Sequence, residues 1–212
     1  MENITAGKSL KVAVLISGSG SNLQAIIDES AAGRLDVEIV LVVSSRPDAY
    51  GIKRAQAAGI PTLVMCKEDY ANAQAANERI AKACKEAAAE YLVMAGYMRM
   101  VLPPVLDAYP NKVINLHPAL LPSFKGAHAI QDAFDAGVKV TGVTVHLANE
   151  DYDKGPIIAQ RALAVEEGWS IDDLEEAIHA IEHKLYPEVL ALVAAGRVKV
   201  TPDGKTAIAQ GA

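Results

Sequence analysis

The stretch Val12-Ala13-Val14-Leu15-Ile16-Ser17-Gly18-Ser19-Gly20-Ser21-Asn22 decides the fold class. Its first five residues are apolar without alternation, which predicts a strand buried on both faces. The Ser/Gly turn stops that run, and helical periodicity follows from Leu23 to Ala32, closed by Gly33. The same unit recurs along the chain. Val37 to Val43 is a second apolar run, followed by a helix from Tyr50 to Ala58 that Gly59 ends. Thr62 to Met65 is β-like, Ala71 to Ala89 is Ala-rich and helical, and Tyr91 to Ala95 and Lys112 to Leu116 are further strands. Apolar runs separated by helices predict an α/β fold with a mostly parallel, Rossmann-like sheet.

The pattern changes after residue 117. Ala129 to Ala136 predicts a short helix, and Val140 to Leu147 and Ile157 to Val165 predict two strands close enough in sequence to pair antiparallel. Ile171 to Ala195 predicts a last helix with a kink at Pro187, and Val198 to Ala212 a short strand and a loose tail. No repeat or linker divides the chain. The expectation is one domain over residues 1–212, with loose termini at 1–10 and 203–212.

Composition narrows the function. The 212 residues carry 20 Lys and Arg against 26 Asp and Glu, a formal charge of −6. That balance argues against a nucleic-acid partner, which demands a basic face. With 51% hydrophobic and 22% charged residues the chain reads as globular, and its length is close to one domain of about 150 residues. Cys66 and Cys84 are too few for a disulfide framework or a zinc site and predict reduced thiols in the cytoplasm. No apolar run reaches the roughly 18 residues of a membrane span, and Met1 to Lys11 lacks the apolar core of a secretory leader.

Four segments carry candidate chemistry. In Ser17 to Asn22 a glycine-rich turn opens a helix, the arrangement that offers backbone N–H groups to a phosphate. A dinucleotide fingerprint would require glycine at Leu23 and an acid near the end of the second strand, where Ser44 and Ser45 stand. A single phosphate fits better. Gly7-Lys8-Ser9 resembles the end of a P-loop, but Glu2 occupies its first glycine position and no strand precedes it. Asn115 and His117 lie two apart at a strand end, so both side chains share a face. Together they can donate to an oxyanion, and the histidine can also move a proton; a histidine at a strand end can equally serve only to bond the next loop. Asn149 to Asp153 is an acidic turn, which by itself reads as solvated. As a functional element it would turn one carboxylate toward His117 and raise the imidazole pKa. Spacing does not choose among Glu150, Asp151 and Asp153. His179-Ala180-Ile181-Glu182-His183 matches H-x-x-E-H, a zinc-peptidase pattern. The apolar stripe Leu174, Ile178, Ile181 and Leu185 puts Glu182 at its edge and His183 on the opposite side. That placement argues against a metal and leaves an exposed helix face and a substrate contact from Glu182 both open.

Ile114-Asn-Leu-His-Pro-Ala-Leu-Leu-Pro122, Gly126-Ala-His128, Thr141-Gly-Val-Thr-Val-His146 and Asp153-Lys-Gly-Pro156 together resemble the folate-dependent formyltransferases. Val14 to Asp28 resembles their glycinamide branch, and the likeness runs from about residue 11 to 200. The resemblance implies transfer of a formyl group from 10-formyltetrahydrofolate to the amine of 5-phosphoribosylglycinamide in purine biosynthesis. Asn115, His117 and Asp153 match the family's catalytic trio, with His117 protonated. Gly20, Ser21 and Asn22 match its phosphate loop. Glu182 matches the acid that holds the glycinamide substrate, and His179 stands where some members have Gln at the sugar site. Met98, Arg99, Met100 and Val101, with Asn149, Glu150, Asp151 and Asp153, match the folate-binding segments. Ala119 replaces a common Ser, and the helix after Tyr70 lacks an Arg that some members place near Ala73. The resemblance implies small-molecule substrates, no metal and a monomer or homodimer. Methionyl-tRNA formyltransferases share the Asn–His–Asp core but pair it with a further domain and a basic surface. Formyltetrahydrofolate hydrolases usually add an N-terminal regulatory domain. A phosphoribosyl-binding module without catalysis is a further alternative.

Overall fold

The computed structural model describes residues 9–210. A seven-stranded sheet organises it, built from β1 (Leu10–Ile16), β2 (Val37–Ser44), β3 (Thr62–Val64), β4 (Tyr91–Met94), β5 (Val113–His117), β6 (Val140–Leu147) and β7 (Ile157–Ala164). The order is β3-β2-β1-β4-β5-β6-β7. Pairing is parallel from β3 through β5 and antiparallel for β5–β6 and β6–β7. The change from parallel to antiparallel thus falls where the periodicity of the sequence changes.

Side-chain alternation along β1 feeds two cores. Val12, Val14 and Ile16 face α1 (Ser21–Ala31) and α6 (Ile171–Ala194), through Leu23, Ile26, Leu174 and Ile178. Ala13 and Leu15 face the other layer, with Ile80 and Cys84 of α3 (Ala73–Glu86) and Val105 of α4 (Pro103–Ala108). Each fully buried Leu, Ile or Val contributes about 1.5–3 kcal/mol. Two short helices, α2 (Gly51–Ala57) and α5 (Ala129–Asp135), complete the set.

Helix ends follow side-chain chemistry. The Asn72 side chain caps α3 by accepting from Ala75 N–H at 3.0 Å, so that helix starts two residues later than its composition predicts. Ser170 and Asp173 cap α6 reciprocally. The helix continues through Pro187, the expected kink, although proline leaves the His183 carbonyl without its helical donor. Helix α4 was not expected. Its paired prolines break a longer helix but suit a first turn, where the N–H groups have no intrahelical partner.

The expected loose tail needs correction. Strand β8 (Val198–Val200) pairs antiparallel with β9 (Thr206–Ile208), and Gly204 adopts φ 76° in the turn between them. The Thr201 hydroxyl accepts the Lys205 N–H at 3.2 Å and closes that turn. At the other end Leu10 already belongs to β1. The rest of the expected loose ends, residues 1–8 and 211–212, lie outside the described residues, as does most of the discarded Gly7-Lys8-Ser9 match. No helix among the described residues is long and apolar enough to cross a membrane.

The sheet order creates a crevice. From β1 the chain moves outward to β2 and β3, whereas from β4 it moves the opposite way to β5. The loops after β1 and β4 therefore diverge at the carboxyl ends of the strands, where open α/β sheets bind ligands.

Candidate active site

A cavity of about 250 Å³ opens at this divergence. One wall is the loop Gly18, Ser19, Gly20, Ser21 and Asn22. Gly20 is the N-cap of α1 with φ 71°, and the first helical bond runs from Gln24 N–H to the Gly20 carbonyl. The preceding N–H groups have no helical partner and combine with the helix dipole into an anion site. Two bonds tie the loop's carbonyls to α2: Gly51 N–H to Gly18 at 3.1 Å and Arg54 Nε to Ser19 at 2.9 Å. A Cβ on Gly20 would lie 2.6 Å from the Gly51 Cα, so glycine is required here for packing as well as for φ. A Cβ on Gly18 would meet nothing within 4 Å.

The Asn22 side chain leaves that loop and donates to Glu182 Oε2 at 2.8 Å. Both residues are buried. Burial raises the Glu182 carboxyl above the ordinary value, against the opposing pull of the Asn22 hydrogen bond and the His179 charge. His179 lines the cavity beside Glu182, with its ring stacked on His183 at 6.3 Å between centroids. Asn22 thus engages the glutamate of the H-x-x-E-H match. Among the described residues no three His, Cys, Asp or Glu gather as metal ligands.

The opposite wall comes from β5, β6 and the acidic turn. Asn115 and His117 both line the cavity, as period-two geometry predicts. Of the three carboxylates left open by the sequence, Asp153 is the one that meets His117, with Oδ2 3.4 Å from Nδ1. Asp153 adopts φ 51°, an uncommon conformation for a non-glycine residue, and accepts the Gly126 N–H at 3.0 Å. The His117 Nε2 lies 2.7 Å from the Phe124 carbonyl, which can only accept, so Nε2 carries the proton.

Burial works against the expected protonated His117, while its two acceptor neighbours work for it. Burial pushes its pKa below the ordinary 6.5, and the upward pull of the Phe124 carbonyl and Asp153 does not overcome it. Desolvation outweighs the charge partner because the ring is only 4% exposed. Burial also acts upward on Asp153. There, the surrounding His146, Gly126 N–H and His117 prevail, holding the carboxyl below its usual range. The site holds a carboxylate beside a buried imidazole whose Nδ1 faces Asp153 and whose Nε2 faces the Phe124 carbonyl.

His146, quoted in the sequence motif without a role, belongs to this group. It pairs with Asn115 across β5–β6. Its Nδ1 lies 3.0 Å from the Leu147 carbonyl and must donate, so Nε2 accepts from Asn115 Nδ2 at 3.0 Å. One Asn115 N–H is thereby occupied and the carboxamide is oriented. The readable signal was Thr144 and His146, two polar residues at period two inside an apolar strand. Thr144 organises the loop after β5 through Ala119, Leu121 and Gln160.

A second, narrower cleft of about 30 Å³ shares Asn115, Tyr152 and Asp153 with the cavity. Arg99, Met100, Val101, Asn149 and Asp151 line it, while Met98 faces the larger cavity. Glu150 lines neither and is exposed. Tyr152, which the sequence did not single out, stands on the shared wall.

Residues 10–190 match the family model described as formyl transferase. The chain is 42% identical over 180 residues to a phosphoribosylglycinamide formyltransferase of Bacillus subtilis, covering 85% of this chain and 92% of that protein. It is similar to the structure of glycinamide ribonucleotide transformylase 1 from Symbiobacterium toebii, with TM-score 0.94, 41% identity and 99% of each chain covered. It also matches the Bos taurus trifunctional purine biosynthetic protein adenosine-3 at 42% identity, over 93% of this chain but only 20% of the relative's length. The chain spans about a fifth of such trifunctional relatives. It belongs to the formyl transferase family.

Proposed function

We propose that this chain is a phosphoribosylglycinamide formyltransferase, moving the formyl group of 10-formyltetrahydrofolate to the amine of 5-phosphoribosylglycinamide. The observation that carries the reading is the pair of joined clefts. One has an anion-binding helix N-terminus and a buried carboxylate, suited to a phosphorylated sugar. The other sets Met100 and Val101 beside Arg99, Asn149 and Asp151 on an irregular backbone, which offers a heterocycle both apolar surface and polar edges. Asn115 and Asp153 stand where they meet, so an amine held in one cleft reaches a formyl carbon held in the other.

The chemistry follows from this arrangement. The amine attacks the formyl carbon and an oxyanion forms. Asn115 donates to it through the N–H that His146 does not occupy. The proton lost by the amine is taken up at the His117–Asp153 pair. That proton then passes to the folate nitrogen as the carbon–nitrogen bond breaks, leaving formylglycinamide ribonucleotide and tetrahydrofolate. Gly20, Ser21 and the Asn22 backbone hold the phosphate, while Glu182, oriented by Asn22, and His179 hold the sugar. Arg99, Met100, Val101, Asn149 and Asp151 hold the folate. These side chains carry the reaction without a metal. Two small polar substrates fit a cytoplasmic setting. The test is formyl transfer followed spectrophotometrically with glycinamide ribonucleotide as acceptor and water as the competing one. Transfer to the ribonucleotide is expected; hydrolysis alone would point to a formyltetrahydrofolate hydrolase.

A further inference from the structure

The segment Ala95 to Leu102 has no regular secondary structure, yet it walls both clefts. Its part from Met98 to Leu102 is held at both ends by side chains distant in sequence. At one end the Met98 N–H donates to Ser17 Oγ at 2.8 Å. At the other the Leu102 N–H donates to Asn77 Oδ1 at 2.9 Å. Both acceptors are buried, with Ser17 5% and Asn77 3% exposed. Each is fixed in turn: Ser17 Oγ lies 2.5 Å from Ser45 Oγ, and Asn77 Nδ2 donates to the Ala73 carbonyl at 2.9 Å. Between the two clamps the N–H groups of Arg99, Met100 and Val101 make no hydrogen bond among the described residues.

We infer that Ser17 and Asn77 are positioning residues for the formyl donor, fixing both ends of residues 98–102 so that the backbone between them meets the folate ring. The inference rests on the proposed assignment of this segment to folate. The physical reason is entropic. An unpaired loop pays an ordering cost on binding, and two buried bonds at its ends remove that cost beforehand. The case of Ser17 separates contact from chain neighbourhood. Its sequence neighbours, Gly18 to Asn22, line the phosphate side, so position along the chain predicts a ribonucleotide defect. Its hydrogen bond predicts a folate defect.

The experiment compares wild type with Ser17→Ala, Asn77→Ala and Asn77→Asp. It measures the KM of each substrate, kcat, the Tm, and direct calorimetric titration with tetrahydrofolate. Each alanine variant should raise the folate KM and Kd on the order of tenfold, the scale of one lost buried hydrogen bond. The ribonucleotide KM should stay near wild type. Asn77→Asp keeps an acceptor for the Leu102 N–H and should recover most of the folate affinity. Unchanged folate binding in both alanine variants, or equal losses for the two substrates, would overturn the clamp and leave these residues a structural role only. A wild type that binds no tetrahydrofolate would overturn the functional reading and this proposal with it.

Discussion

Asn115 and His146 face each other across the antiparallel β5–β6 pair, and their side chains meet at 3.0 Å. The Leu147 carbonyl sets the histidine tautomer, the tautomer makes Nε2 an acceptor, and that acceptor orients the Asn115 carboxamide toward the cavity. The donor that the proposed function assigns to the reacting oxygen is therefore placed from the neighbouring strand.

Removing that donor gives the largest effect expected. Asn115→Ala should lower kcat by about 10²–10³, roughly 2.7–4 kcal/mol, with both substrates still bound. His146→Ala should lower kcat in the same direction but less, because the carboxamide remains and loses only its orientation. The double variant should then be no worse than Asn115→Ala alone, since the two act through one group. Additive losses measured in single-turnover rates would contradict the orienting role.

His117 should titrate below its ordinary 6.5, because burial disfavours its charged form. Asp153→Asn removes a neighbour that raises that pKa and should lower it further. The folded-state value is depressed. The stability contribution of His117 is thus present above the unfolded pKa and is lost as pH falls through the folded one. NMR titration of the ring proton in wild type and variant checks both signs. An unchanged midpoint together with an unchanged rate would remove Asp153 from the reaction.

Glu182 is a buried carboxyl with a raised pKa, so its sign is opposite. Its contribution is present below the unfolded pKa and is lost as pH rises through the folded one. Glu182→Gln should leave the protein at least as stable near neutral pH, flatten the dependence of Tm on pH, and weaken ribonucleotide binding. Calorimetric melting across pH, paired with ribonucleotide titration, separates the two effects. A large loss of stability would mean that the carboxylate serves folding instead.

The two loop glycines should behave differently. Gly18→Ala places its Cβ in open space on the wall of the cavity and should weaken the ribonucleotide with little change in Tm. Gly20→Ala forces φ 71° on a side chain and drives it into Gly51. A strained backbone of this kind costs about 1–3 kcal/mol before the clash is counted, so Tm itself should fall. Equal Tm values for the two variants would contradict this assignment.

The sequence by itself determined what local patterns encode. Unbroken apolar runs marked the parallel strands, the Ser/Gly turn marked the loop that walls the cavity, and period two put Asn115 and His117 on one face. These are short-range properties of strand and helix geometry. Tertiary structure alone decided the rest. Which acid serves His117 depended on the left-handed backbone at Asp153, and Glu150 and Asp151 have the same chemistry at nearly the same spacing. The Asn22–Glu182 bond joins residues 160 apart, and the His146–Asn115 contact exists only once β6 lies beside β5. The charge of His117 is also a property of the folded interior. A neighbouring carboxylate favours the cation, burial opposes it, and the balance follows from how much water the packed chain excludes.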